Sequence, residues 1–316
     1  MEEDDDGMRR LTLALSLAVL LGSSLKAAAW NKSGHMLTGA IAYKELAASN
    51  PAALAEVVRL LKTHPEYQSR WVPMLEKDGV APEDQDMALF MFAARWPDDI
   101  RGDRSYDHPT WHYVNFAYRP PSKDPGDPPA GENILTAYRA NLDIVKSTAP
   151  DSEKAVALCW IFHLIGDVHQ PLHTTAMFGE AWPNGDRGGN LVFVRATETS
   201  STINLHSLWD GLMGRSENIR TLKNEAIRLR SIPELARGAL PELSLKDFNG
   251  WAKPESFDLA VKTAYLGVSL PANSDRTNGG VVPDGYLKRA KEIGTRRVVL
   301  AGYRIANVLA GAVRRK

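Results

Sequence analysis

Five of the eight histidines in this chain stand near aspartates at separations that suit a shared metal ion. The densest stretch runs from His163 through Asp167 to His173. His163 and Asp167 are four residues apart, so on a helix both side chains leave the same face. Pro171 then ends the helix and lets His173 turn elsewhere. His206 and Asp210 repeat the four-residue spacing, and His35, Asp98 and His112 stand upstream. A single His-x-x-x-Asp pair on a helix is more often a structural hydrogen bond than a ligand pair. Two such pairs, with three further imidazole or carboxylate candidates, favour metal binding. Neutral imidazole and carboxylate are the ligands zinc takes where thiolates are absent. Cys159 is the only cysteine, and its apolar neighbours mark it as a buried, inert thiol. It cannot form an intrachain disulfide and excludes cysteine-rich zinc modules.

Holding such residues in register calls for helices. The spacing of apolar residues predicts helices over 34–48, 85–96, 132–147 and 153–169, and a long closing helix over 285–314. Another helix is expected after Ser49-Asn50-Pro51, with Pro51 in its first turn. Two β-like runs, 190–195 and 201–204, suit a hairpin. The Gly/Pro/Asn-rich stretches 118–131 and 270–285 read as surface loops. The expected fold is therefore mainly α: one helical-bundle domain, residues 30–316, with a small β-hairpin.

Residues 1–29 read as an export signal. Arg9 and Arg10 precede the apolar run Leu11 to Leu21, and Ala27-Ala28-Ala29 offers a cleavage site. The run is too short to span a membrane comfortably. Removing it takes away three basic and five acidic residues, so the remaining chain carries 35 minus 33, or +2. The whole chain has 38 basic and 38 acidic residues and no formal net charge, so a basic surface cannot be its means of gripping phosphates. Bound metal would supply that positive charge locally.

At these residues the chain resembles the zinc-dependent single-strand nucleases of the S-one/P-one type, related in fold to zinc-dependent phospholipase C. The resemblance runs from Trp30 to the Leu300–Asn307 helix. It implies three zinc ions per chain. Trp30, through a freed α-amine and its carbonyl, would join His35 at one ion. Asp98, His112 and His163 would hold a second, with Asp167 bridging the two. His173, His206 and Asp210 would hold the third, at an exposed position. Three such ions carry +6 against −3 from the three aspartates, leaving about +3 to attract a phosphodiester.

The same resemblance assigns Arg101 to the phosphate, where the alternative is an ion pair with Asp98 or Asp99. Asn115 occupies a place that is Asp in fungal members; it can hydrogen-bond but cannot take a proton. Tyr113 would stack a base and Asn190 would contact a base edge. The implied substrates are single-stranded DNA or RNA and nucleotides, since a duplex must first be unstacked at a cost of a few kcal/mol. A monomer, periplasmic or secreted and free of the membrane once cleaved, is expected. A phospholipase C is the nearest rival, and His206-x-x-x-Asp210, rather than a pair ending in Glu, argues against it. A non-catalytic zinc-binding protein is the third reading. His169 is expected beside the metal ligands or in solvent, and His64 and His108 in loops.

Overall fold

A computed structural model describes residues 30–313, so the expected signal peptide, 1–29, lies outside the described residues. Helix α1 (Lys32–Ser49) starts where the Asn31 side chain accepts from the Gly34 amide. Its residues from Ser33 to Ala42 are all buried, as a helix covered on every side requires. It packs against α4, α6, α8 and α10. Helix α2 (Pro51–Leu61) opens as expected, with the Asn50 side chain accepting from Ala53 and Pro51 in the first turn.

Helices α3 (Val72–Lys77) and α4 (Pro82–Asp99) follow. The predicted helix over 85–96 runs longer at both ends and continues through Pro97. Proline removes one main-chain donor. The turn survives because Ile100 donates to the Trp96 carbonyl at 3.1 Å and Arg95 grips Asp99 at 2.8 and 2.9 Å. That extra turn carries Asp98. Helix α5 (Ile134–Lys146) begins with a reciprocal cap between Asn133 and Thr136. Helix α6 (Asp151–Val168) carries two acidic residues in its first turn, where the helix dipole favours them, and is almost wholly buried from Ala155 onward.

After α6 the chain makes a 3-10 turn, Pro171–Thr174. It leads into strand β2 (Thr175–Met177), which pairs in parallel with β1 (Phe116–Tyr118). Strands β3 (Phe193–Arg195) and β4 (Ile203–Asn204) form the expected antiparallel hairpin. The stretch 270–285, read from sequence as a surface loop, also supplies β5 (Gly280–Val281), parallel to β3. Helices α7 (Leu205–Asp210), α8 (Ile219–Arg230) and α9 (Phe248–Gly250) follow β4 in the chain. Beyond α9 the chain continues as π-helical turns, Trp251–Phe257 and Ala260–Ala264. The closing helix α10 (Tyr286–Ala312) agrees with the expected span at its start. Among the described residues no helix is long and apolar enough to cross a membrane.

The core is one continuous apolar cluster in which Trp30, Trp71, Trp96, Trp160 and Trp209 are fully enclosed. Within it, α1, α4 and α6 bring their polar residues to a single buried locus.

Candidate metal centre

Helix α6 offers His163 and Asp167 from one face, both with no exposure. Helix α1 brings His35, whose ring stacks on that of His163 with centroids 3.9 Å apart. His35 Nε2 stands 3.2 Å from Asp167 Oδ1, and His163 Nε2 stands 3.2 Å from Asp167 Oδ2. Gly166 makes the approach possible: a Cβ there would lie 2.7 Å from His35 Nδ1. His112, on the segment leading into β1, puts its Nδ1 3.1 Å from Asp167 Oδ2 and 2.9 Å from His163 Nε2. Asp98, on the last turn of α4, stands 3.8 Å from His163 Nε2 and 3.9 Å from His35 Nε2. A separate group joins His173, His206 and Asp210, with the two Nε2 atoms 3.0 Å apart and Asp210 Oδ2 3.6 Å from His206 Nε2. Three sets of three residues thus bring one ligand atom each within metal-binding reach: His35, His163 and Asp167; Asp98, His112 and His163; His173, His206 and Asp210.

Proton positions make the arrangement informative. His163 Nδ1 donates to the Ala94 carbonyl at 2.9 Å, His173 Nδ1 to His112 O at 2.6 Å, and His206 Nδ1 to Gly188 O at 2.7 Å. In neutral imidazole the other nitrogen is then a bare lone pair. His173 and His206 turn their Nε2 atoms toward each other at 3.0 Å, a spacing that suits two ligands of one cation. His35 Nδ1 and Nε2, Asp98 Oδ2, His112 Nε2 and Asp167 Oδ1 are buried without any hydrogen-bond partner. Buried polar atoms are seldom left so, and these donor types fit zinc.

Electrostatics agree. Burial alone would lift the Asp167 carboxyl, but His163 and His173 hold it well below the usual range. Burial likewise opposes ionisation of Asp98, and His163 and Arg101 outweigh it. Burial drives His35 and His112 down, keeping them neutral, as ligands must be. His163 is raised, because the Asp167 and Asp98 charges overcome its burial. His173 is pushed down by burial to about 3. Asp210 differs: burial raises it well above the usual carboxyl range, opposed mainly by one hydrogen bond from Gln170, while Asp98 and Asp167 push the same way as burial. Positive charge is what the pocket lacks around Asp210.

Two expectations need correcting. His173, His206 and Asp210 are not an exposed group: they are 2%, 3% and 6% accessible. A cavity of about 300 Å³ lined by Asn31, Lys32, Ser207, Arg215 and Glu217 borders Asp210. His169 is neither beside the metal ligands nor in solvent; it is fully buried, donates from Nδ1 to Ile165 O and faces Arg304 from Nε2. His64 lies in the turn after α2, as expected of a loop residue, and is buried there against Trp71, with ring centroids 4.6 Å apart.

Arg101 binds Asp98 Oδ1 through Nε and Nη2, at 2.8 and 2.6 Å. The guanidinium therefore sits on the rim of the cluster, in the ion pair that was the alternative to a phosphate contact. Tyr113 is 37% exposed next to His112, and Asn115 is half-buried just before β1. Asn190 is half-buried and donates to the Arg187 carbonyl at 2.8 Å. The Trp30 indole is enclosed, and the amide of Asn31 donates to the Asp210 carbonyl at 3.3 Å, which ties this end of the described chain to α7.

Sequence reading missed the residues that orient the ligands. Gln170 donates to Asp210 Oδ1 at 2.7 Å. Asp186, fully buried and raised to about 6 by that burial, accepts from the amides of Met177 and Gly189 and from the Tyr265 hydroxyl. It thereby fixes the turn whose Gly188 carbonyl orients His206. Gly188 has φ +63°, and a Cβ there would lie 2.4 Å from the Leu172 carbonyl oxygen. A polar side chain beside a helix-ending proline, and an Asp before a Gly-Gly pair, were the only local signals.

A sequence model of the S1/P1 nuclease family matches residues 30–314. Endonuclease 5 of Arabidopsis thaliana is 27% identical over 264 residues, covering 72% of this chain and 79% of that protein. Endonuclease 1 of the same plant is 25% identical over 329 residues, covering 95% and 92%. Nuclease S1 of Aspergillus oryzae is 30% identical over 135 residues, covering 40% and 42%.

Proposed function

This chain belongs to the S1/P1 nuclease family, and from that premise we propose that it hydrolyses phosphodiester bonds in single-stranded nucleic acid with three zinc ions. The observation that carries the metal reading is the set of buried imidazole and carboxylate atoms without a hydrogen-bond partner, on His35, Asp98, His112 and Asp167, gathered within metal-binding reach of one another and of His163. His35 with Asp167, and Asp98 with His112 and His163, would hold two ions, and His173, His206 and Asp210 the third. The Trp30 α-amine joins the first once residues 1–29 are removed by export, which makes cleavage after Ala29 part of site assembly. Bound zinc would supply Lewis acidity toward phosphoryl oxygens and lower the pKa of water toward about 7.

The side chains have separate tasks. Arg101, anchored on Asp98 through two nitrogens, keeps Nη1 for a phosphate oxygen and presents it in a fixed plane. Tyr113 offers an exposed ring on which a splayed base can stack, a sequence-tolerant contact. Asn115 and Asn190 supply uncharged hydrogen bonds at the rim. A base that must stack on Tyr113 while its phosphate enters the pocket has left its own stack, which favours single strands over duplex. The enzyme is a secreted or periplasmic monomer with endonuclease and 3′-nucleotidase activity.

The test is to purify the form beginning at Trp30, count its zinc, and assay single-stranded DNA, RNA, 3′-AMP and phosphatidylcholine with and without chelator. Three ions per chain and chelator-sensitive cleavage of the nucleic acids are expected. Hydrolysis of the lipid alone would overturn the assignment.

A further inference from the structure

Building on the three-ion reading above, we propose that Gln170 is a positioning residue. It restricts Asp210 to ligation through one oxygen and locks Asp210 to the turn that carries His173. Gln170 is fully buried at the corner between α6 and the 3-10 turn. Its Oε1 accepts the Leu172 amide at 2.7 Å. A backbone N–H can only donate, so the side-chain nitrogen must be the atom facing Asp210, and it donates to Oδ1 at 2.7 Å. The other Asp210 oxygen, Oδ2, is the one directed at His206 Nε2, 3.6 Å away.

One planar amide therefore does two things. Its oxygen sets the turn that presents His173, and its nitrogen occupies one of the two Asp210 oxygens. A charge-assisted hydrogen bond of this kind is strong and directional. Zinc sites that perform chemistry combine three protein ligands with an open position. Ligation by both Asp210 oxygens would fill that position, and a donor fixed on Oδ1 prevents it. Of the third group, Asp210 borders the cavity lined by Lys32, Arg215 and Glu217.

Two variants test the assignment in the full chain beginning at Trp30. Gln170→Glu keeps the cap on Leu172 but turns an acceptor toward Asp210 Oδ1. Gln170→Met removes both bonds at similar length. Zinc binding is measured by competition with a chromophoric chelator, beside steady-state kinetics on single-stranded DNA. Both variants should bind two ions like the parent and the third about 10–100-fold more weakly, the usual effect of losing a residue that supports a ligand. At saturating zinc, kcat should fall more than KM. If Gln170 were only a turn cap, Gln170→Glu would match the parent and Gln170→Met would lose melting temperature with unchanged affinity for the third ion; either result overturns the proposal, and each variant decides it alone. A parent protein that binds fewer than three ions would instead remove the three-ion reading, and this proposal with it.

Discussion

The last two turns of α6 serve two buried polar clusters that solve the same problem in opposite ways. On one face, His163 and Asp167 join His35, Asp98 and His112 in a group with five polar atoms lacking any partner. On the other, the end of α6 meets Arg297, Arg304, Glu255 and Ser256. There Arg297 donates to the His169 carbonyl at 3.1 Å, to Glu255 at 2.7 Å and to Ser256 at 2.6 Å. Arg304 reaches His169 Nε2 at 2.8 Å, both Glu255 oxygens at 2.6 Å and the Glu242 carbonyl at 2.6 Å, and lies 4.6 Å over the Trp251 ring. Burial pulls Arg297 down to about 10, which still leaves it charged at neutral pH. Only Arg304 Nε in that group lacks a partner. The arginine cluster supplies its own cations and is complete as protein. The histidine cluster leaves buried imidazole and carboxylate atoms without protein partners, which cations from outside would satisfy. A buried polar group with balanced donors and acceptors is architecture; one with a surplus of lone pairs is a binding site.

The difference can be broken most forcefully at Asp167. Asp167→Ala should cost at least two of the three zinc ions and at least about 10³-fold in kcat on single-stranded DNA. A variant that keeps three ions by elemental analysis would show that Asp167 does not bridge. Glu255→Ala is the matching change in the other cluster. It strands two buried guanidinium groups and should destabilise the zinc-stripped protein by about 3–5 kcal/mol in urea unfolding, with the zinc count unchanged. Loss of zinc without loss of stability would merge the two regions into one.

Acid offers a third probe. Burial holds His64 and His173 neutral down to about 3, whereas in the unfolded chain each protonates near pH 6.5. Between these values the unfolded state binds more protons, so stability falls as pH drops through that window. In zinc-stripped protein at pH 5 each histidine costs about 2 kcal/mol relative to pH 7.5, about 4 kcal/mol together, while Asp186, raised to about 6, works in the opposite direction. His64→Phe should remove about half of that slope. An equal slope in the variant would place the titration elsewhere. The smallest effect is expected at Gly166→Ala, where the added methyl displaces His35. Zinc affinity should fall by about 10–100-fold, read by chelator competition, while the arginine cluster keeps the end of α6 in place. Unchanged affinity would mean that His35 does not need its observed position.

Much of the helical framework was written locally. The Asn50-Pro51 start, the apolar spacing of α5 and α6, and the stop before Pro171 each depend on a few neighbouring residues, whose caps and periodicity act within one turn. The ligand chemistry was legible too, because residue type decides what an imidazole or carboxylate can bind. The extra turn of α4 beyond Pro97, which carries Asp98, was not legible, because the Arg95 that grips Asp99 is itself held by Glu217, 122 residues away. Nor was the fate of His169, since its partners Arg297 and Arg304 lie 128 and 135 residues away.

By itself, then, the sequence determined the helical architecture and the set of side chains able to hold metal. Only the tertiary structure decided which nitrogen of each histidine is held by a carbonyl and which faces the other ligands, because the carbonyls come from distant segments: Ala94 for His163, His112 for His173 and Gly188 for His206. A lone pair becomes a ligand when its ring is turned and its other nitrogen is occupied, and both conditions are set by packing across the chain rather than along it.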